Sequence, residues 1–248
     1  MKSPISVVII ALNEAANISQ CVTKAALISD DIIVVDSGST DATVTLAEAA
    51  GAKVHQMQWQ GYSSTKNEAN TLTRHDWILS LDADEILSEE LIASIQECTL
   101  EEKTVYLLSR LNNYCGHWIR HSNWYPDYVY RLFDRRYCRW QGEFVHEKLN
   151  FPADFKLIKL KGDLLHYTYR TAEEHYRKIE RYAELSAREK LAKGKNSSPL
   201  KLLILPIFKF ISVYIFHLGI LDGAAGYQIA RREAYYVRRR NEWMQTLK

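Results

Sequence analysis

The sequence predicts an α/β fold with a buried, mainly parallel sheet flanked by helices. Three observations support it: Val- and Ile-rich apolar runs at residues 5–12, 32–35 and 77–81, an acidic turn of small residues after each run, and helix-like stretches between them. Runs that are apolar throughout, with no polar alternation, read as strands covered on both faces. Sheets of this kind bind ligands outside the carboxyl ends of their strands, so Glu14, Asp36, Asp82 and Asp84 are expected along one edge.

Taken in order, the first run ends at Asn13-Glu14. Lys2 followed by that run superficially resembles a secretory signal, but the run is interrupted at once and supplies the first strand, so no export signal is expected. The second run ends in Asp36-Ser37-Gly38-Ser39-Thr40-Asp41, and a helix-like stretch, GYSSTKNEAN, precedes the third. The third run closes on Asp82-Ala83-Asp84. Alternate residues of a strand share a face, so the two carboxylates are expected to point the same way and to form a small hard-cation site. Mg²⁺ or Mn²⁺ bridging a diphosphate suits two oxygen ligands with the other positions open. By itself an Asp-x-Asp triplet is more often a solvated turn than a metal site.

A chain of 248 residues with 47% hydrophobic content has enough apolar material for one catalytic domain with an appended element. Its formal net charge of +2 excludes a general nucleic-acid-binding character. The late cations Arg231-Arg232 and Arg238-Arg239-Arg240 fit an anionic surface instead. Cys21, Cys98, Cys115 and Cys138 show no paired spacing, so reduced thiols are expected, with Cys115 and Cys138 free to meet in space. The tract KGKNSSP at 193–199 reads as a linker between a charged helical stretch and an apolar one.

The segments VVIIALNEAANI, IIVVDSGSTDAT, GYSSTKNEAN and LSLDADE, in that order, resemble the inverting family 2 glycosyltransferases of the GT-A fold. WYPDYVYRLFDRR, GEFVHEKL, LLHYTYRT and LDGAAGYQIA extend the resemblance over almost the whole chain, to bacterial lipopolysaccharide core β-1,4-glucosyltransferases. It implies a Rossmann-like nucleotide-diphospho-sugar transferase fold with a C-terminal helical element. The expected organisation is a catalytic domain at 1–192, its donor half at 1–100 and acceptor half at 101–192, followed by a helical membrane-associating element at 193–248.

On the donor side, Glu14 and Asp36 sit where carboxylates accept from a base N–H or a ribose hydroxyl. Their spacing equally allows helix capping by Glu14 with Asn13 and an Asx-turn at Asp36; the resemblance implies that Asp36 contacts the nucleotide. Lys66 is placed to reach a diphosphate, or is an exposed helix lysine. Asp82 is expected on ribose or a metal-bound water and Asp84 on the metal, with Glu85 outside the site. The resemblance adds His166, in LLHYTYRT, as a metal or phosphate contact.

An inverting transfer needs a base for the acceptor hydroxyl. Glu147 is favoured by its resemblance to the family's catalytic segment, Glu143 stands behind it, and Asp127 is an outside option; a surface acid beside Lys148 is the alternative for Glu147. Acceptor recognition is expected from the aromatic and basic middle of the chain, chiefly Trp124, Asp127, Arg131 and Arg135, since rings stack on sugars and Arg forks bind anionic groups. Residues 200–221 are strongly apolar but interrupted by Lys201, Pro206, Lys209 and His217, which fits a helix lying in the membrane interface better than a docked hairpin or a spanning helix. The function expected is transfer of a hexose, glucose from UDP-glucose first, onto a lipid-linked glycan such as the lipopolysaccharide inner core, at the inner face of the cytoplasmic membrane. Alternatives are another cell-envelope polysaccharide transferase or a nucleotide-sugar-binding protein that has lost transfer. A nucleotidyltransferase is disfavoured because no Gly-rich phosphate loop follows the first strand.

Overall fold

The computed structural model describes residues 4–142 and 147–247. It divides into two compact units. The first runs to Arg110 and resumes at Asp127–His166; the second comprises Leu111–Pro126 and the chain from Tyr167 onward. This differs from the expected break at 192/193, because the helix at Ala172–Ala192 packs on the last helix of the chain.

The first unit is built on a mixed sheet. Strands β1 (Ile5–Ala11), β2 (Ile32–Asp36), β3 (Lys53–Gln56) and β4 (Trp77–Asp82) pair in parallel in the order β3-β2-β1-β4. Helices α1 (Ile18–Ala25), α2 (Thr43–Ala49) and α3 (Tyr62–Thr71) connect them. The three central strands are almost wholly buried, as their continuous Val and Ile runs require. A tight turn at Ala83-Asp84 leads to β5 (Glu85–Leu87) and α4 (Glu89–Glu97), which is capped by Ser88 accepting from the Leu91 N–H.

Beyond β4 antiparallel pairs enter the sheet. It takes in β6 (Thr104–Tyr114), β8 (Asp127–Asp134) and β11 (Lys156–Tyr169), with β5 at the edge against β11. The short strands β9 (Arg139–Gln141) and β10 (Lys148–Asn150) form a separate antiparallel pair, Trp140 opposite Leu149. Trp140 also packs on Phe133 in a core cluster with Val8, Ile33 and Ile78.

In the second unit, β7 (His117–Ile119) pairs with the end of β6. α5 (Ala172–Ala192) opens with a reciprocal capping box between Thr171 and Glu174. α6 (Pro199–Ile211) passes through a π-helical turn at 212–216 and a 3₁₀ turn at 219–222 into α7 (Gly223–Thr246). The segment LDGAAGYQIA has a structural explanation at that corner. The Asp222 carboxylate accepts from the backbone N–H groups of Arg120 and His121 and from the Ser122 hydroxyl. Gly226 packs so closely that a Cβ there would lie 1.8 Å from the Gly219 carbonyl oxygen.

Candidate active site

The loops after β1 and β2 are tied together. Asn13 Oδ1 accepts from the Thr40 N–H at 2.8 Å, the Asn13 N–H donates to Ser39 Oγ at 2.8 Å, and the Glu14 N–H donates to Thr43 Oγ1 at 2.8 Å. Glu14 also receives the Asn17 amide at 3.0 Å, and its carbonyl starts α1. Asp36 is fully buried, and its carboxylate accepts the Gly38 and Ser39 N–H groups, each at 3.0 Å, together with the Ser39 hydroxyl. The Asx-turn allowed by its spacing is therefore formed, and Asp36 shapes the loop at the strand end.

The third strand end differs from the expectation. Asp82 is the last residue of β4, but Asp84 lies in the turn, so the two carboxylates do not alternate along one strand and meet different partners. Asp82 Oδ1 is 3.1 Å from Lys66 Nζ, and Asp82 Oδ2 is 2.5 Å from an Arg131 nitrogen. Asp84 Oδ2 instead faces His166 Nε2 at 3.3 Å. β5 places them so, since its antiparallel register sets Glu85 opposite His166.

Around Asp82 runs a chain of ion pairs of alternating sign. Glu147 Oε1 lies 2.6 Å from Lys66 Nζ, Lys66 bonds Asp82, Asp82 bonds Arg131, and Arg131 bonds Glu85 at 2.5 Å. Glu85 lies 3.5 Å from Arg110, which bonds Asp127 at 2.6 Å. Lys66 and Glu85 have side chains with no exposure and Arg131 only 4%. Burial pushes the Asp82 carboxyl up, but the Arg131 and Lys66 charges outweigh it and hold it well below the usual carboxylate range. Arg131 is likewise opposed by burial and raised overall by Asp82 and Glu85. Each buried charge of the chain has a partner within hydrogen-bonding or ion-pair distance, which offsets the cost of removing it from water.

This geometry corrects several expectations. Arg131 is a buried support for Asp82 and Glu85, bonding both through one terminal nitrogen with a side chain only 4% exposed. Arg135 bonds Asp76, the Asn70 carbonyl and Thr73, so its guanidinium pins the end of α3. Lys66 is no exposed helix lysine. Trp124 belongs to the second unit, where it packs edge-on against Tyr114 and His175 and tilts on Tyr169. Asp127 remains partly exposed beside Arg110. Glu143, with His146, lies outside the described residues. The residues missed were Glu85, Arg110 and Asn67, whose side chain exchanges hydrogen bonds of 2.8 and 3.0 Å with the Trp140 backbone and locks α3 to β9. A charge inside an apolar strand run, as Arg110 in YLLSRLNNY, was the available signal.

Asp84 and His166 suit a divalent cation. Adjacent ligands at ~2.1 Å in an octahedron stand about 3 Å apart, close to the 3.3 Å between the facing oxygen and nitrogen. Among the described residues no third His, Cys, Asp or Glu joins them, so an ion held here would take its remaining ligands from water and substrate oxygens.

Residues 6–154 match the family model described as glycosyl transferase family 2. An uncharacterized glycosyltransferase of Rickettsia felis is 30% identical over 243 residues, spanning 90% of this chain and 83% of that protein. The lipopolysaccharide core biosynthesis glycosyltransferase LpsC of Rhizobium meliloti is 29% identical over 221 residues, spanning 86% of this chain and 81% of that one. Among solved structures, glucosyl-3-phosphoglycerate synthase from Mycobacterium tuberculosis is 28% identical over 44% of this chain, with a TM-score of 0.36. The chain spans only 43% of that structure's length. A family model that covers more than half of the chain, with a relative matched nearly end to end, makes this chain a member of glycosyl transferase family 2.

Proposed function

We propose that the chain is an inverting, metal-dependent hexosyltransferase that moves glucose from UDP-glucose to a lipid-linked glycan such as the lipopolysaccharide inner core. The observation that carries this reading is the pairing of Asp84 with His166 at one strand turn, beside an Asp82 that leads through Lys66 to Glu147. Mg²⁺ or Mn²⁺ held by Asp84 and His166 supplies charge neutralisation for the leaving diphosphate. Glu14 and the Asp36 loop line the strand ends where the nucleotide belongs in such a sheet. Glu147 takes the acceptor hydroxyl proton. Its Oε2 is buried and has no hydrogen-bond partner among the described residues, as an oxygen reserved for a substrate hydroxyl requires. The sugar-core acceptor is supported by the similarity to LpsC, a lipopolysaccharide core biosynthesis glycosyltransferase.

Peripheral attachment to the inner face of the cytoplasmic membrane is part of the same reading. Pro199–Phe216 is long and apolar enough to cross a bilayer, yet α6 has no buried residue. Leu203, Ile207, Phe208, Ile211 and Phe216 are all exposed at helical spacing, while Phe210 and Tyr214 pack on Tyr227 of α7 and Lys209 pairs with Glu233. A spanning α6 would carry the charged α7 into the hydrocarbon, whereas an α6 lying in the interface keeps those charges wet. Incubating the purified protein with Mn²⁺, deep-rough lipooligosaccharide and a panel of nucleotide sugars tests the donor and acceptor. UDP release from UDP-glucose alone in the panel is expected; turnover with a different nucleotide sugar corrects the donor, and release from none contradicts the enzyme reading.

A further inference from the structure

We propose that Lys66 is a positioning residue for Glu147 rather than a ligand of the donor diphosphate. This rests on the reading of Glu147 as the base.

The Lys66 side chain has no exposure. Its ammonium has three donors. One points to Glu147 Oε1 at 2.6 Å and one to Asp82 Oδ1 at 3.1 Å, and the Trp140 ring lies 4.7 Å from Nζ. With no exposure and the Trp140 ring beside it, the third donor is closed to solvent, and a phosphate oxygen would have to displace the ring or a carboxylate held by a strong charge-assisted bond.

The stem of Lys66 is fixed as firmly as its head. Asn67, the next residue of α3, holds the Trp140 backbone in both directions, and Trp140 pairs with Leu149 across the β9–β10 ribbon whose far strand begins just after Glu147. The helix that carries the lysine and the ribbon that carries the glutamate are thus clamped at neighbouring points. With Oε1 held by Lys66, the Glu147 carboxylate cannot rotate freely, and Oε2 is left as the oxygen without a partner among the described residues. Lys66 also links that orientation to Asp82 on the donor side, so one buried ammonium registers the two halves of the reaction.

The test separates binding from turnover. In Lys66→Met, turnover measured as UDP release with the sugar nucleotide that the parent uses should fall by roughly 10²-fold or more. The dissociation constant for UDP with Mn²⁺, measured by calorimetry, should stay within about threefold of the parent. Lys66→Met combined with Glu147→Gln should be no slower than Glu147→Gln alone, because residues acting as one unit lose their effect together. That double variant removes both charges of the pair and carries the test if the single variant does not fold. A rise of about tenfold or more in the UDP dissociation constant with turnover nearly intact would make Lys66 a donor contact and overturn the proposal alone. Further loss in the double variant would also overturn it. A parent that turns over no nucleotide sugar overturns the positioning role together with the functional reading.

Discussion

In the sheet unit, Lys66, Glu85 and Arg131 are among the buried side chains, whereas in the helical unit the thirteen residues of α6, nearly all apolar, include none that is buried. Both depart from the usual partition of charge and oil, and for different physical reasons. Buried charge persists where every ion meets its opposite, as along the chain from Glu147 to Asp127. Exposed apolar surface has no such internal compensation and marks a place that another surface covers. The first anomaly is compensated within its own unit; the second is not compensated among the described residues.

The sharpest way to break this contrast is at the end of the ion chain. Glu147→Gln keeps the size and most of the hydrogen bonding of the side chain but removes the base, so turnover should fall by roughly 10²–10⁴-fold. Donor affinity should be unchanged. Full turnover in this variant would move the base to Asp127 or Glu143.

Next comes the interior of the chain. Glu85→Gln leaves Arg131 and Arg110 short of a counter-charge and should cost about 3–5 kcal/mol in urea unfolding, the usual penalty for breaking a buried pair. Glu89→Gln, which removes the exposed partner of Lys24, should cost no more than about 1 kcal/mol. Equal costs would show that burial does not set the value of these pairs.

A third comparison uses pH within the helical unit. Burial, then the Arg232 and Lys178 charges, lower His175 from 6.5 to about 4. The folded state holds it neutral, so the unfolded chain binds the extra proton between those values. His175 therefore contributes stability that is present above about pH 6.5 and is lost as pH falls toward 4. The loss amounts to roughly 3 kcal/mol at most. His175→Gln should flatten that limb of the unfolding free energy; an unchanged slope would remove His175 as its source.

The smallest expected effect concerns α6. Burying a Phe side chain stabilises by roughly 1.5–3 kcal/mol, so Phe208→Ser with Phe216→Ser should shift much of the protein from floating with anionic vesicles to remaining free. Unchanged flotation would assign the exposed face to a protein partner or to a second copy of the chain.

Particular residues explain what could be read in advance. The parallel half of the sheet was legible because residues 5–12, 32–35 and 77–81 are continuous apolar runs. The rest of the sheet was less so, since strands such as β11 mix lysines with apolar residues and owe their place to pairing far along the chain. Asp84 and His166 were named separately, and the structure brings them to 3.3 Å. Their supports were hidden because residue type does not disclose which charge meets which: Arg131 and Arg135 looked like acceptor forks and turned inward, and Lys66 is buried on a helix with a mostly polar sequence. The apolar character of α6 was plain, but its exposure depends on where α7 packs.

The central claim is that the turn after β4 holds a divalent cation which joins the nucleotide to the protein. It is tested most directly by the thermal shift that UDP produces with and without Mn²⁺, in the parent and in Asp84→Ala. A ligand that binds the folded state at 100 times its dissociation constant stabilises it by about 2.7 kcal/mol, enough to read clearly. The account predicts a UDP shift that requires Mn²⁺ in the parent and vanishes in Asp84→Ala, whose unliganded stability stays near that of the parent. An equal UDP shift in the parent with EDTA and with Mn²⁺, or one that survives Asp84→Ala undiminished, would contradict it.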